Sequence, residues 1–324
     1  MIEDKKLMNE FKNLIYTQLK KKYNKCLGPK SDCTENCINA HSIQNGQILD
    51  QLASNHHVIM AVTKLDIDRE AEIITFKKVG RKQATTFTGL CQKHDSELFR
   101  PIDMNEFDVS NQQQKFLIAY RSVLRELHTR IKAAIDCQTI YQKLVELGEC
   151  DPNNLKEPRM WKATIKIVNA YDLYKYKYVY DNIYNSNSFT KIEHECIRIE
   201  RNCPLAVSSL FDPIKSIIWL KRLEPKFIVL NVFPQKKDTL ILLSYLREHQ
   251  KALKPHANKI ITATGEAQLY LLSKTILRYC ENFVISPQHF NLFYQQKIDA
   301  IKNFLLATLT QIDLDHNDKN LMLF

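Results

Sequence analysis

The sequence predicts an α+β chain that begins in a cysteine-rich, metal-binding module, continues in long helices and ends in an antiparallel sheet with helices. Three observations carry this. Cysteines cluster in "CLGPKSDCTENC" (26–37) and again, with a histidine, in "CQKH" (91–94). Apolar residues recur at helical spacing from Ser110 to about Asn182. Beyond Ser186 the texture changes to short apolar or alternating runs, punctuated by Pro204, Pro213, Pro225 and Pro234.

Residues 5–24 read as a basic amphipathic helix through Leu7, Phe11, Leu14, Ile15 and Leu19. "NGQILDQLAS" follows "AHSIQ" as a short helix, and "HVIMAVTK" and "AEIITFKKV" read as two strands joined by "LDIDRE". The second cysteine turn, "FTGLCQKHDSELFRPI", runs into a helix that starts near Cys91. Ser110 is a good N-cap for a long helix to about Gly148, with room for one break, through Phe116, Ile118, Leu124, Leu127, Ile131, Ile135 and Leu144. "GECDPNNLKEP" is the clearest boundary, and Pro158 then opens another long helix, since proline is tolerated at a first helical position. "KIEHECIRIE", "LAVSSLF", "KSIIWLK" and "KFIVLNVF" are the expected strands; Glu266–Cys280 and Ser286 to about Thr310 return to helix. Three regions result: 1–105, 106–185 and 186–324, the last with no role assigned by the sequence.

The 324 residues carry a formal charge of +10, which makes a polyanion, above all nucleic acid, the expected partner. Two dense basic runs, "KKKYNK" and "KKVGRK", flank the cysteine region; Lys77, Lys78, Arg81 and Lys82 are the candidate contacts. With only 6 glycines there is no phosphate-cradling loop, so an ATPase or dinucleotide enzyme is disfavoured, and no nucleophile elbow exists for a hydrolase triad. The N-terminus is acidic where a signal peptide is basic, and nowhere do 18 apolar residues run together. A cytoplasmic protein with no membrane partner is expected. Nine cysteines without a secretory signal argue for reduced thiols, and clustered thiols then mean metal.

Zinc takes four tetrahedral thiolate or imidazole ligands, commonly as two close pairs. Cys91 and His94, in C-x2-H spacing, form the second pair. The first comes from Cys26, Cys33 and Cys37, either C-x6-C or C-x3-C; the Gly28-Pro29 turn lets Cys26 and Cys33 fold back on each other, while the closer spacing suits a knuckle. Both choices are open at this level. Cys137, Cys150, Cys196, Cys203 and Cys280 are scattered and expected in the core.

The cysteine turn, the strand carrying "INAHSIQ", the hairpin and "ATTFTGLCQKHDSELFRPI" together resemble the treble-clef zinc fold of HNH-type (ββα-metal) endonucleases. The resemblance spans about residues 20–105 and extends to a group of bacterial proteins in which such a module heads a longer chain. It implies a structural zinc, a histidine on the first strand that activates water, and a catalytic Mg2+ or Mn2+ held from the facing helix. His41 matches the first role, and Asp95, immediately after the second zinc pair, stands where the family usually places a metal-binding histidine. The family's middle asparagine is missing; "KQATTFTG" offers Gln83, Thr85, Thr86 and Thr88. For His41 the alternative is a strand histidine satisfied by a backbone partner, or a zinc ligand. Gln44 is expected to orient a phosphate or to cap the following helix. The implied activity is nucleic-acid hydrolysis, with a role in defence against phage by association with the resembled group. The competing class is a non-catalytic, zinc-stapled protein that binds nucleic acid or protein.

Other patterns have plainer readings. Tyr171, Tyr174 and Tyr178 share a helical face and are expected to pack on a neighbouring helix, a protein partner or a second copy, rather than to stack bases. Arg121 and His128 have an R-x6-H spacing like that of HEPN-type ribonucleases, a separation that helices supply often by chance. His56 and His57, adjacent on a strand, point to opposite faces and suit the surface.

Overall fold

The computed structural model describes residues 12–13, 15, 17–29, 33–66, 71–214, 224–309 and 318–324. Strands that are apolar at nearly every position need cover on both faces, and three such strands stand side by side. β6 (Leu205–Phe211), β7 (Ile228–Pro234) and β8 (Thr239–Leu246) are buried along their whole length. With β5 (Ile192–Ile199), β9 (Phe283–Ile285) and the hairpin of β2 (His57–Asp66) and β3 (Ala71–Gly80), they form a sheet of seven strands in the order β3-β2-β9-β6-β7-β8-β5. Each neighbouring pair is antiparallel. The class is α+β, as the sequence indicates.

Alternation along the strands sorts the two faces. Leu205, Val207, Leu230, Val232, Ile241 and Leu243 point to one side. There they meet α4 (Gln250–Ile261), α5 (Gly265–Tyr279) and α6 (Gln295–Leu309) through Leu253, Leu272, Ile276, Ile301 and Phe304. The other side carries Val58, Ala206 and Val284 against Ile43, Leu49 and Leu52, and Phe233, Leu240 and Leu242 against Ile48, Phe107 and Ile118. On this second side Ser208 and Asn231 face each other across β6 and β7.

Four elements depart from the expectation. The 57–80 hairpin shares a sheet with the C-terminal strands, because β2 pairs with β9 through Ile59 and Met60. β8, α4 and the three-residue β9 were not foreseen. An all-buried strand such as "TLILLSYL" has no alternation to read. "KSIIWLK" lies outside the described residues, as do Leu7, Phe11 and Leu14 of the N-terminal helix; Ile15 is buried, whereas Leu19 is exposed.

The chain divides into two compact units: Met1–Ala40, Phe87–His94 and Leu124–Asn182 form one, and His41–Thr86, Asp95–Val123 and Ile183–Phe324 the other. The first contains most of the two-stranded sheet of β1 (Cys37–His41) and β4 (Thr86–Cys91), the start of α1 (Gln92–Asp103) and most of two long helices. These are α2 (Gln112–Glu146), which is unbroken, and α3 (Pro158–Asn185). Packing of α3 corrects one expectation. Tyr176 and Tyr180 are the buried tyrosines of this helix, while Tyr171, Tyr174 and Tyr178 lie 59%, 46% and 60% exposed. The helical period forces the choice: the stripe of Leu173, Tyr176 and Tyr180 already fills the core-facing side. Among the described residues no helix is long and apolar enough to cross a membrane.

Candidate functional site

Of the candidate zinc ligands, Cys26, Cys33, Cys91 and His94 come together, with their ligand atoms all within 4.8 Å of one another. Cys33 Sγ lies 3.8 Å from Cys91 Sγ, and His94 Nδ1 lies 3.3 Å from both Cys26 Sγ and Cys91 Sγ. A tetrahedron with Zn–S near 2.3 Å and Zn–N near 2.05 Å requires S···S of about 3.8 Å and N···S of about 3.6 Å. The donor set and spacing therefore fit a structural zinc. Of the two possible first pairs, the structure assembles C-x6-C; Cys37 opens β1 and does not join the group. Cys150, Cys203 and Cys280 are buried, as expected of scattered thiols, but Cys196 is exposed.

Backbone geometry prepares the thiols for charge. The amides of Cys91 and His94 donate to Cys26 Sγ and Cys91 Sγ, each at 3.4 Å. Burial nevertheless pushes the Cys26 thiol up to about 12, so a bound cation is needed to make Cys26 a thiolate at neutral pH. Gly28 holds the clearance. A Cβ there would sit 2.7 Å from His94 Cγ, while the Gly28 carbonyl accepts from Lys177 Nζ at 3.0 Å. Lys177 is itself buried and paired with Asp181 at 2.6 Å. Gly28→Ala is expected to displace the His94 ring and weaken zinc binding by roughly ten- to a hundredfold, the usual cost of disturbing a group that supports a metal ligand. Chelator competition measures this, and unchanged affinity would refute the packing role.

His41 closes β1, and its Nε2 lies 3.2 Å from the Arg81 carbonyl oxygen. A carbonyl only accepts, so Nε2 carries the proton and Nδ1 keeps its lone pair. Burial lowers the His41 pKa, partly offset by that hydrogen bond, with the Arg121 and Arg81 charges lowering it further. The ring is neutral at pH 7. Asp95 lies in the first turn of α1; its Oδ1 is buried without a hydrogen-bond partner among the described residues, and burial raises its pKa against the pull of Arg121. Arg121 and Asp103 act on both groups. These two form a bidentate ion pair at 2.9 and 2.6 Å, with the guanidinium 4.0 Å over the Phe99 ring. Among the described residues neither His41 nor Asp95 belongs to a group of three potential metal ligands.

The basic candidates separate. Lys77, Lys78 and Lys82 are exposed. Arg81 instead binds the chain, reaching the Asn45 carbonyl at 3.2 Å and Asp50 at 3.1 Å. Gln44 stands at the N-cap of the short helix Asn45–Leu49, where its carbonyl accepts from the Ile48 and Leu49 amides, but its side chain makes no capping bond; the side-chain amide donates to the Asp103 carbonyl at 3.2 Å. Thr85, in the stretch "KQATTFTG", has φ of 59° and a buried hydroxyl without a partner among the described residues. A β-branched residue is strained in that region. Thr85→Gly is expected to stabilise the fold by about 1 kcal/mol, relief of strain exceeding the entropy cost of glycine. Urea unfolding reads this out, and a loss of stability would contradict it.

Elsewhere, His128 binds the Tyr23 carbonyl at 2.8 Å, and Arg121 is committed to Asp103, so the R-x6-H spacing marks two separate structural roles. Lys177 and Asp103 were missed by sequence reasoning, and Gly28, read there as part of a turn, was not read as the clearance for the His94 ring. "CLGP" held a signal for that clearance, since a glycine between two ligands often admits a close approach. No protein-family model matches the chain, and neither a curated protein nor a solved structure matches it.

Proposed function

We propose that the chain is a metal-dependent, HNH-like hydrolase of nucleic-acid phosphodiesters, stapled by zinc at Cys26, Cys33, Cys91 and His94. The observation that carries this is the state of His41: a neutral imidazole, held by the Arg81 carbonyl so that Nδ1 is the basic nitrogen. It takes a proton from the attacking water as the water oxygen bonds to phosphorus and the bond to the leaving oxygen breaks. Asp95 offers an unpartnered carboxylate oxygen, the donor type for Mg2+ or Mn2+, which binds through one or two carboxylates with waters and substrate phosphate completing the shell. Such a cation stabilises charge on the phosphoryl oxygens. Exposed Lys77, Lys78 and Lys82 supply attraction for the backbone.

The test is incubation of plasmid DNA and of RNA with Mg2+ or Mn2+, comparing wild type with His41→Ala and Asp95→Ala. Cleavage by wild type that both variants lose supports the proposal. No cleavage by wild type, or equal cleavage by all three, removes it.

One observation favours the binding-protein alternative. Ile167, Tyr171, Tyr174 and Tyr178 make an exposed apolar stripe at heptad-like spacing on α3, the kind of face that docks a helix or a second copy. Tyr171→Lys with Tyr178→Lys would change the oligomeric state in sedimentation if a second copy uses it.

A further inference from the structure

A single asparagine stands in the middle of the most apolar strand of the sheet, "IVLNVFP", and a pair of serines in its neighbour, "LAVSSLF". Asn231 and Ser208 are register partners on the same face, and both are buried, at 4% and 1% exposure. Polar groups in such a place are retained only with partners. Part of the pairing is internal. Ser208 Oγ and Ser122 Oγ are 2.8 Å apart, and Ser122 Oγ donates to Asn231 Oδ1 at 2.8 Å. Each hydroxyl has one proton, so Ser208 donates to Ser122 and Ser122 to Asn231. This orientation leaves Asn231 Nδ2, a buried donor, with no partner among the described residues.

Asn231 and Ser208 line a cleft of about 920 Å³, within the size range of small-molecule sites. Ile48, Ile118 and Phe233 give it apolar walls, and Phe107 meets Phe233 edge-on, ring centres 5.2 Å apart. Of the acids along the cleft, Asp50, Asp103 and Asp238 are each paired with an arginine. Lys236 and Lys237 lie exposed at its rim, on the turn between β7 and β8, with Glu106 also lining the space.

We propose that this cleft binds a single nucleotide. The apolar and aromatic walls take the flat base, Asn231 Nδ2 donates to a ring nitrogen or carbonyl of that base, and Lys236 and Lys237 take its phosphate. A purely apolar ligand would leave the amide unpaired; a phosphate alone would leave the walls uncovered. The site is independent of the hydrolase reading, since its occupancy is read as binding, without divalent metal and without cleavage.

Calorimetric titration of the full chain in EDTA-free, Mg2+-free buffer with AMP, GMP, CMP and UMP, and with the four nucleosides, tests this. At least one nucleotide is expected to bind about tenfold or more tightly than its nucleoside, a charge-assisted contact being worth that much. Lys236→Ala with Lys237→Ala, two exposed positions that leave the fold intact, should bring the nucleotide down to its nucleoside. Asn231→Asp, checked for folding by circular dichroism, should lose both. A 5′-phosphorylated single-stranded pentanucleotide distinguishes the sources. Sensitivity of the oligonucleotide alone to both variants assigns the site to a nucleotide within a strand, and binding of the mononucleotide assigns it to a free one. If neither binds, or if binding survives the lysine replacements unchanged, the proposal is overturned.

Discussion

Replacing Cys91 by serine is expected to release the zinc and to unfold the residues that its four ligands join. Cys91 is the most connected ligand: its thiol is 3.8 Å from Cys33 and 3.3 Å from His94, and its amide donates to Cys26. The candidate ligands lie in two turns, 26–33 and 91–94, which a bound metal would tie together. Structural zinc contributes on the order of 10 kcal/mol in small modules. The loss should therefore show as a separate, earlier melting transition together with a zinc content near zero by metal analysis. Cys37→Ser should keep its zinc, because Cys37 is not in the group. Full zinc in the Cys91 variant, or loss from the Cys37 variant, would contradict the ligand assignment.

His41→Ala should lower cleavage by about 10²- to 10⁴-fold, the range for loss of a general base, with zinc content and melting of the zinc-bearing residues unchanged. The pH profile carries the sharper signature. His41 is basic only when neutral, and burial holds its pKa below the ordinary 6.5. Activity therefore rises with pH through that lowered value and is on its plateau by pH 7. The sign for stability runs the same way. With the folded pKa below the unfolded one, the neutral His41 stabilises the fold above pH 6.5, and that contribution is lost as pH falls through the folded value. A cleavage rate that falls as pH rises from 6 to 7.5 would remove His41 as the base.

The long helices were legible because their apolar residues recur over many turns: Phe116, Leu124 and Leu127 on α2 are fully buried. Their outer faces were less so. Six tyrosines crowd "YDLYKYKYVYDNIY", and the sequence offers two tyrosine faces; only the position of the core decides that Tyr176 and Tyr180 fill it. The all-buried β8 was missed for the opposite reason, as a strand covered on both sides has no period.

What the sequence determined by itself was the class and the donor chemistry of the candidate metal site. Thiols and imidazole in two close clusters define a soft donor set wherever the chain goes, and helical and strand periods are local properties. Tertiary structure alone decided which thiols meet, since Cys26, Cys33 and Cys37 are all within turning distance of one another and the choice falls to contacts with Cys91 and His94. It alone also decided the tautomer of His41, through a carbonyl forty residues away at Arg81, and the unpaired amide of Asn231, through Ser122 and Ser208. Hydrogen bonds over such separations leave no period in a sequence; they exist only once the sheet has fixed its register.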